Sequence, residues 1–441
     1  MHKRRSWVSL IALIGLLGAA AGLGSAQEKP RVTPAGPVRV QGQAVADARG
    51  PFNALGATFF WGAWGYKFDR ARLERNLAAL DEAGIDYVRV LGSVGGSSWQ
   101  DRQTDPRWND YDAIITGLTD LAFDKYGIRV QWTLFGGAPF TPPGRARVGL
   151  VDRFAKLARG REHKIFAFEI ANEAWTNGFE GAEGLDELRR LGQRLARRTS
   201  VLVALSAPLS DAACDTYGGA GVDVMTVHYA RRFEPEGALL PLVQPWQFRP
   251  HESKCRGQLP RVVFNNEPIG PESSVRQDDD ASRIAGAFVM TFLAGNASYV
   301  LHSGPGIRGG GAADTQSGLE RHANFDELPS FKPIADALHS AKRYLPRGLA
   351  NWQRFKPDDP SAPIHGSAHV YVASSGARFI GLVLAADKST TIRSRRAAEI
   401  AIRHASTGKV VQRRNVATGD DITLTGDEVF VVIGHGAATP R

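Results

Sequence analysis

Ile165-Phe166-Ala167-Phe168-Glu169-Ile170, followed at once by Ala171-Asn172-Glu173-Ala174-Trp175, is the stretch from which the fold is read. Its first half is a short, almost continuous apolar run, as a strand buried on both faces requires. Downstream, Leu185, Leu188, Leu191 and Leu195 recur at helical spacing. Such strand-then-helix units repeat on both sides of it. Upstream lie the runs Leu55–Phe60, Asp86–Leu91 and Ile128–Leu134. Downstream lie Val201–Leu205, Val222–Val227, Arg261–Phe264 and Ala297–Leu301. Helical stripes separate several of them. Leu73, Leu77 and Leu80 run between the Asp69 cap and Gly84, Val151–Leu157 follows the third strand, and Ile284, Phe288 and Phe292 precede the eighth. A last stripe carries Ile334, Leu338 and Ala341. Eight alternations predict an α/β fold, a (β/α)8 TIM barrel, over residues 51–349.

Beyond Trp352 the texture changes. His369–Val372, Phe379–Leu384, Ala398–Ile402 and Val429–Ile433 are short β-like runs with turns between them. They predict a small C-terminal all-β, sandwich-like domain over 352–441. Ahead of the barrel, residues 27–50 hold a hairpin, Val38–Val45, turning at Gly42. Residues 1–26 read as a secretory signal peptide: Lys3, Arg4 and Arg5, then an apolar run from Trp7 to Leu17, then Gly24-Ser25-Ala26. A secreted or periplasmic protein with no membrane span after cleavage is expected.

Composition agrees. With 43% hydrophobic and 22% charged residues in 441, the chain excludes a disordered protein and supplies one large core. The net charge is +9, of which residues 1–26 carry three positive charges, leaving +6. The densest basic cluster, Arg189, Arg190, Arg194, Arg197 and Arg198, is interleaved with the leucine stripe and reads as a solvated helix face. No aromatic residues accompany it for base stacking, so no nucleic-acid partner is expected. Cys214 and Cys255 allow one disulfide in an oxidising compartment or two separate buried thiols.

Chemistry in this fold gathers at the C-terminal ends of the strands. The fourth strand ends in Asn172-Glu173 and the seventh in Asn266-Glu267, each a carboxylate preceded by asparagine. The second strand brings Arg89, the third Trp132, the sixth His228 and Tyr229, and the eighth His302, with Trp64 and Trp175 at or after strand ends. Two carboxylates across one rim are what glycosidic cleavage needs: one protonated to serve the leaving oxygen, one ionised to attack or to activate water. Aromatic faces at the rim suit sugar rings. Adjacent residues on a strand point opposite ways, so one of His228 and Tyr229 is expected to face the site.

Three other signals take structural readings. Gly304–Gly311 lacks the P-loop lysine and reads as a flexible rim loop. Asp278-Asp279-Asp280 precedes a helix, where acids complement the dipole. The stretch 230–260, with Arg231, Arg232 and Trp246, is a candidate wall of the cleft.

The paired Asn172-Glu173 and Glu267 resemble clan A glycoside hydrolases, the "4/7" superfamily that includes family 5 cellulases and mannanases. The resemblance covers about residues 51–349. It implies a retaining double displacement on β-glycosidic bonds of a poly- or oligosaccharide, with Glu173 the acid/base, Glu267 the nucleophile and no cofactor or metal. It implies that Asn172 meets the sugar 2-hydroxyl, that Arg89 pairs with Glu267, and that His228 or Tyr229 supports the nucleophile. At the eighth strand the family supplies a tryptophan where this chain has His302. A retaining pair is expected about 5–5.5 Å apart. Two further readings use the same rim: a carbohydrate-binding or envelope protein without turnover, and a transglycosylase.

Overall fold

The structure, a computed structural model, describes residues 34–436 apart from 97–98, 100, 138–139, 207, 209–211, 230–239, 248, 275–276, 311–320, 357–358, 367–368 and 386–387. The signal-peptide reading, Arg231, Arg232 and Gly311 lie outside the described residues.

A three-stranded antiparallel sheet opens the described chain: β1 (Arg39–Gln41), β2 (Ala44–Asp47) and β3 (Gly50–Phe52). The expected hairpin turns at Gly42, whose φ of +67° suits glycine, and gains a third strand. Then come eight parallel strands: β4 (Ala54–Thr58), β5 (Tyr87–Leu91), β6 (Arg129–Phe135), β7 (Ile165–Ala171), β8 (Val203–Ser206), β9 (Val224–Val227), β10 (Val262–Asn265) and β11 (Ser298–Leu301). Their order is β8-β7-β6-β5-β4-β11-β10-β9. The ends meet where Asp223, just before β9, donates its N–H to Val203 O of β8 at 3.1 Å. The sheet is a barrel, on the eight runs read from the sequence.

Register decides which side chains enter it. Val90, Trp132 and Phe168 are neighbours across β5, β6 and β7, and all three sit in the apolar layer between barrel and helices. The alternate phase, Arg89 on β5 with Thr133 and Glu169 paired across β6 and β7, supplies polar groups that meet one another. Toward the other end the interior is apolar. Tyr87 stacks on Phe166 with centroids 3.8 Å apart, and Phe264 leans on Phe166 at 5.2 Å. Gly56 leaves the space that Tyr87 fills, for a Cβ there would stand 2.4 Å from its ring. Val38 and Val45 join this cluster, so the small N-terminal sheet closes that end.

The helices carry the expected stripes. Arg70–Glu82 buries Leu73, Leu77 and Leu80, and Asp69 caps it by accepting from Arg72 N–H. Gly181–Ala196 buries Leu188, Leu191 and Leu195, while Arg194 and Arg198 of the basic cluster pair with Asp152. The acidic triplet does precede a helix, Ala281–Leu293, and Asp280 caps it by accepting from Arg283 N–H. Cys214 and Cys255 are joined in a disulfide. Among the described residues, no helix is long and apolar enough to cross a membrane.

After the barrel come β12 (Gln353–Phe355), β13 (Ile364–Gly366), β14 (His369–Ser375), β15 (Arg378–Leu384), β16 (Ser389–Ser394), β17 (Ala398–His404), β18 (Val410–Val416), β19 (Asp421–Thr425) and β20 (Val429–Gly436). They form an antiparallel sheet in the order β12-β14-β15-β20-β17-β18 and a smaller one, β13-β16-β19. Alternation sorts the larger sheet. Phe379, Val383, Phe430 and Val432 face the smaller sheet, while Ile380, Leu382, Leu384, Val429 and Val431 join the barrel core. Both faces are therefore apolar, which explains the unbroken run Phe379–Leu384. Gly286 of Ala281–Leu293 admits this close packing; a Cβ there would stand 3.0 Å from Val429.

Two local expectations are corrected. Trp246 does not wall the cleft: it is buried, with its ring 5.2 Å from Tyr371 of β14 and Arg249 4.4 Å over it. Gly304–Ile307 is a buried helical turn rather than a flexible loop, and Gly306 O accepts Phe60 N–H at 2.9 Å. Three glycines or prolines in four residues hide such a turn from periodicity.

Candidate active site

The sequence-predicted residues converge where the strands end. Arg89, fully buried on β5, is the hub. Its Nη1 donates to Glu267 Oε1 at 2.7 Å, and Nε and Nη2 donate to Glu169 Oε2 at 3.0 and 2.7 Å. Nη2 also donates to Asn172 Oδ1 at 2.8 Å. Burial acts to lower the pKa of this guanidinium, but the charges of Glu169 and Glu267 outweigh it and hold the group above its ordinary value. Arg89 is a permanent cation clamped between two carboxylates.

Glu173 lies two residues past the end of β7 in a turn that takes its backbone to φ +40°, an uncommon conformation for a non-glycine residue. Surrounding bonds fix that turn. Ala174 N–H donates to Ser206 Oγ at 2.9 Å, and Asn177 Nδ2 donates to Asn172 O and Glu173 O at 2.8 and 3.3 Å. The carboxylate that results faces His228, whose Nδ1 lies 3.1 Å from Glu173 Oε1 and 3.5 Å from Glu267 Oε2. One donor atom each of Glu173, His228 and Glu267 lies within 4.8 Å of the others. Three such groups could geometrically enclose a cation, but the positive charge at this cluster is already supplied by Arg89 at 2.7 Å. The two carboxylates and the imidazole form one compact polar cluster beside Arg89.

His302, buried at the end of β11, closes the far side. Its Nδ1 meets Thr58 Oγ1 at 2.8 Å, its Nε2 meets Ser274 Oγ at 2.9 Å, and Nε2 lies 3.9 Å from Glu267 Oε2. Asn266, before Glu267, donates Nδ2 to Glu169 Oε1 at 2.9 Å. Phe60 covers one flank, with Arg89 5.1 Å over its ring and the His302 ring 6.0 Å away.

The structure thus brings together Arg89, Asn172, Glu173, His228, Asn266, Glu267 and His302. It does not bring in Trp132 or Tyr229. Trp132 faces the helices and donates Nε1 to Thr119 at 3.1 Å, because β6 runs three residues beyond it and its register matches outward-facing Val90 and Phe168. Tyr229 is the residue of its pair that turns away: it is buried and its hydroxyl donates to Asn296 Oδ1 at 3.1 Å. Burial pushes that phenol above its usual pKa. Trp64 lies on the helix Gly62–Phe68, stacked 4.2 Å from Arg102 and against Trp61 and Phe68 rather than on the carboxylates. Trp175 follows the Glu173 turn and is 45% exposed, lining a surface crevice with Phe179 and Pro208.

Glu169 is the residue that sequence reading overlooked. The signal was present, a lone carboxylate inside an otherwise apolar strand run. A fully buried charge there needs partners. Thr133, Thr58 and Ser274, which bind Glu169 and His302, carry no signal by type or spacing.

No protein-family model matches the chain, and no curated protein matches it. Solved structures do match. Alpha-galactosidase I from Mortierella vinacea is similar with a TM-score of 0.53 and 11% identity, over 89% of this chain and 98% of that one. Amy13B from Eubacterium rectale gives 0.53 and 9%, over 93% and 100%. A glycoside hydrolase family 5 mannosidase from Rhizomucor miehei gives 0.49 and 14%, over 69% and 98%. Glycoside hydrolases thus stand among the structural neighbours, and at these identities the likeness is one of fold.

Proposed function

We propose that the protein is an exported glycoside hydrolase that cleaves β-glycosidic bonds of a poly- or oligosaccharide with retention of configuration. The observation that carries the reading is the Glu173–Glu267 pair, with donor oxygens within 4.8 Å at the ends of the fourth and seventh barrel strands. Retaining enzymes hold their carboxyl groups about 5–5.5 Å apart, whereas inverting enzymes leave about 6.5–9.5 Å for a water between them.

The two groups differ in what touches them. Glu267 receives a charge-assisted bond from Arg89, which favours a carboxylate ready to attack the anomeric carbon. Glu173, on the turn beside it, acts as the proton donor to the leaving oxygen. In the second step Glu173 takes a proton from water, the water oxygen bonds to the anomeric carbon, and the ester bond to Glu267 breaks. His228, in reach of both carboxylates, aligns them across the change of charge. Asn172 accepts from Arg89 through Oδ1, which leaves its amide N–H groups directed to a sugar hydroxyl. Export is supported by the basic and apolar pattern of residues 1–26 and by the Cys214–Cys255 disulfide.

The test is kinetic. On an activated aryl glycoside, Glu267→Gln is expected to abolish turnover. Glu173→Gln should still release a good leaving group in the first step, then stall, with azide restoring turnover. Either variant keeping wild-type activity would remove the assigned roles.

A further inference from the structure

We propose that Glu169, which takes no bond-making part in the double displacement, is the positioning residue that sets the aim and basicity of Glu267. Its consequence for turnover rests on the glycosidase reading; its electrostatics do not.

Glu169 sits on β7, fully buried, and its two oxygens accept four hydrogen bonds. Oε2 takes Nε and Nη2 of Arg89 and the hydroxyl of Thr133 at 2.7 Å, while Oε1 takes Nδ2 of Asn266. Two of the Arg89 nitrogens are thereby used, and the rigid guanidinium fork leaves Nη1 pointing at Glu267 Oε1. The same hub reaches both asparagines that precede the reacting carboxylates. It binds Asn266 directly, and through Arg89 it fixes the amide of Asn172. Asn266 Oδ1, buried and without a hydrogen-bond partner among the described residues, is then held on the side away from Glu169.

One guanidinium serves two carboxylates, so its field on Glu267 is opposed by the anion on Glu169. Without that anion the full positive charge would fall on Glu267, stabilise its carboxylate and blunt it as a nucleophile. Glu267 is met by Arg89 from β5, His228 from the end of β9 and His302 from the end of β11, and an oxygen of Glu173, on the turn after β7, lies within 4.8 Å of it. Glu169 lies behind Arg89, and Tyr87 and Tyr217, both buried, also feel its charge. Its charge opposes that of Arg89 from the face of the guanidinium turned away from Glu267.

Glu169→Gln removes the charge and keeps the shape; Asn266 can turn its free Oδ1 to the new amide. The titration of Glu267 is read by infrared difference spectroscopy, with Glu267→Gln in the same background as the blank. Its midpoint is expected about one pH unit lower in Glu169→Gln than in the wild type. Glu169→Asp, which restores the charge, should bring the midpoint back, so loss of folding in the first variant would not be mistaken for the effect. On an aryl glycoside, kcat of Glu169→Gln should fall about tenfold with KM nearly unchanged. Equal midpoints in wild type and Glu169→Gln, or a Glu169→Asp midpoint as low as that of Glu169→Gln, would overturn the proposal. A wild type that turns over no aryl glycoside would instead contradict the glycosidase reading, and the infrared midpoint would still decide the role of Glu169.

Discussion

Replacing Arg89 by lysine keeps one positive charge at the centre of the site and removes the fork that distributes it. The arginine donates through three nitrogens to Glu169, Asn172 and Glu267 at 2.7–3.0 Å. A lysine Nζ is a single atom, and it cannot stand at the positions of both Nε and Nη1. It must leave either Glu169 or Glu267 without its cationic donor, in a place where both carboxylates are buried. Breaking a buried ion pair costs about 3–5 kcal/mol, and the retained charge on lysine places Arg89→Lys toward the lower end. The loss of aim on Glu267 should lower kcat about 100-fold. Urea unfolding followed by tryptophan fluorescence reads the first effect, and turnover of an aryl glycoside reads the second. Stability within about 1 kcal/mol of the wild type, together with unchanged kcat, would refute the reasoning. It would show that Arg89 acts as a point charge and that its hydrogen-bond geometry is immaterial.

Four other perturbations separate site from scaffold. Tyr229→Phe should cost about 1–2 kcal/mol, because Asn296 Oδ1 is left buried without its donor, while kcat stays near wild type; His228→Ala should lower kcat about 100-fold or more. Burial raises the pKa of Asp223 in the folded state, against two backbone hydrogen bonds that lower it. Its contribution is therefore favourable at low pH and lost as pH rises through the folded value, so Asp223→Asn should stabilise the protein at neutral pH and lose that gain below about pH 4, as unfolding at a series of pH values would show. Cys255→Ser opens a disulfide spanning a separation of 41 residues and should reduce stability by about 4 kcal/mol, read as a lower urea midpoint.

The barrel was legible because its strands are buried on both faces and appear as short apolar runs at regular intervals, ended by residues such as Asn172 and Asn265. The carboxylate pair was legible for a related reason, since both glutamates follow such runs directly. What escaped depends on phase and on long-range contact. Gly62–Phe68 carries Trp64, Tyr66 and Phe68 at every second position, a strand-like period in a helical segment. Trp132 is not the last residue of its strand, and only pairing with Val90 and Phe168 turns it outward. Glu169 merged with the apolar run around it, because a buried carboxylate is recognised by partners on β5, β6 and beyond β10 that no local window contains. Trp246 found its partner, Tyr371, 125 positions away in the C-terminal sheet, a distance across which composition says nothing.

The central claim is that Glu173 and Glu267 act as a retaining pair. Proton NMR of the sugar first released from an aryl β-glycoside the enzyme turns over, recorded before mutarotation, tests it most directly. A retaining pair gives the β-anomer as the initial product, giving way to α only at the rate of spontaneous mutarotation. Initial appearance of the α-anomer would contradict it and require a water between the two carboxylates.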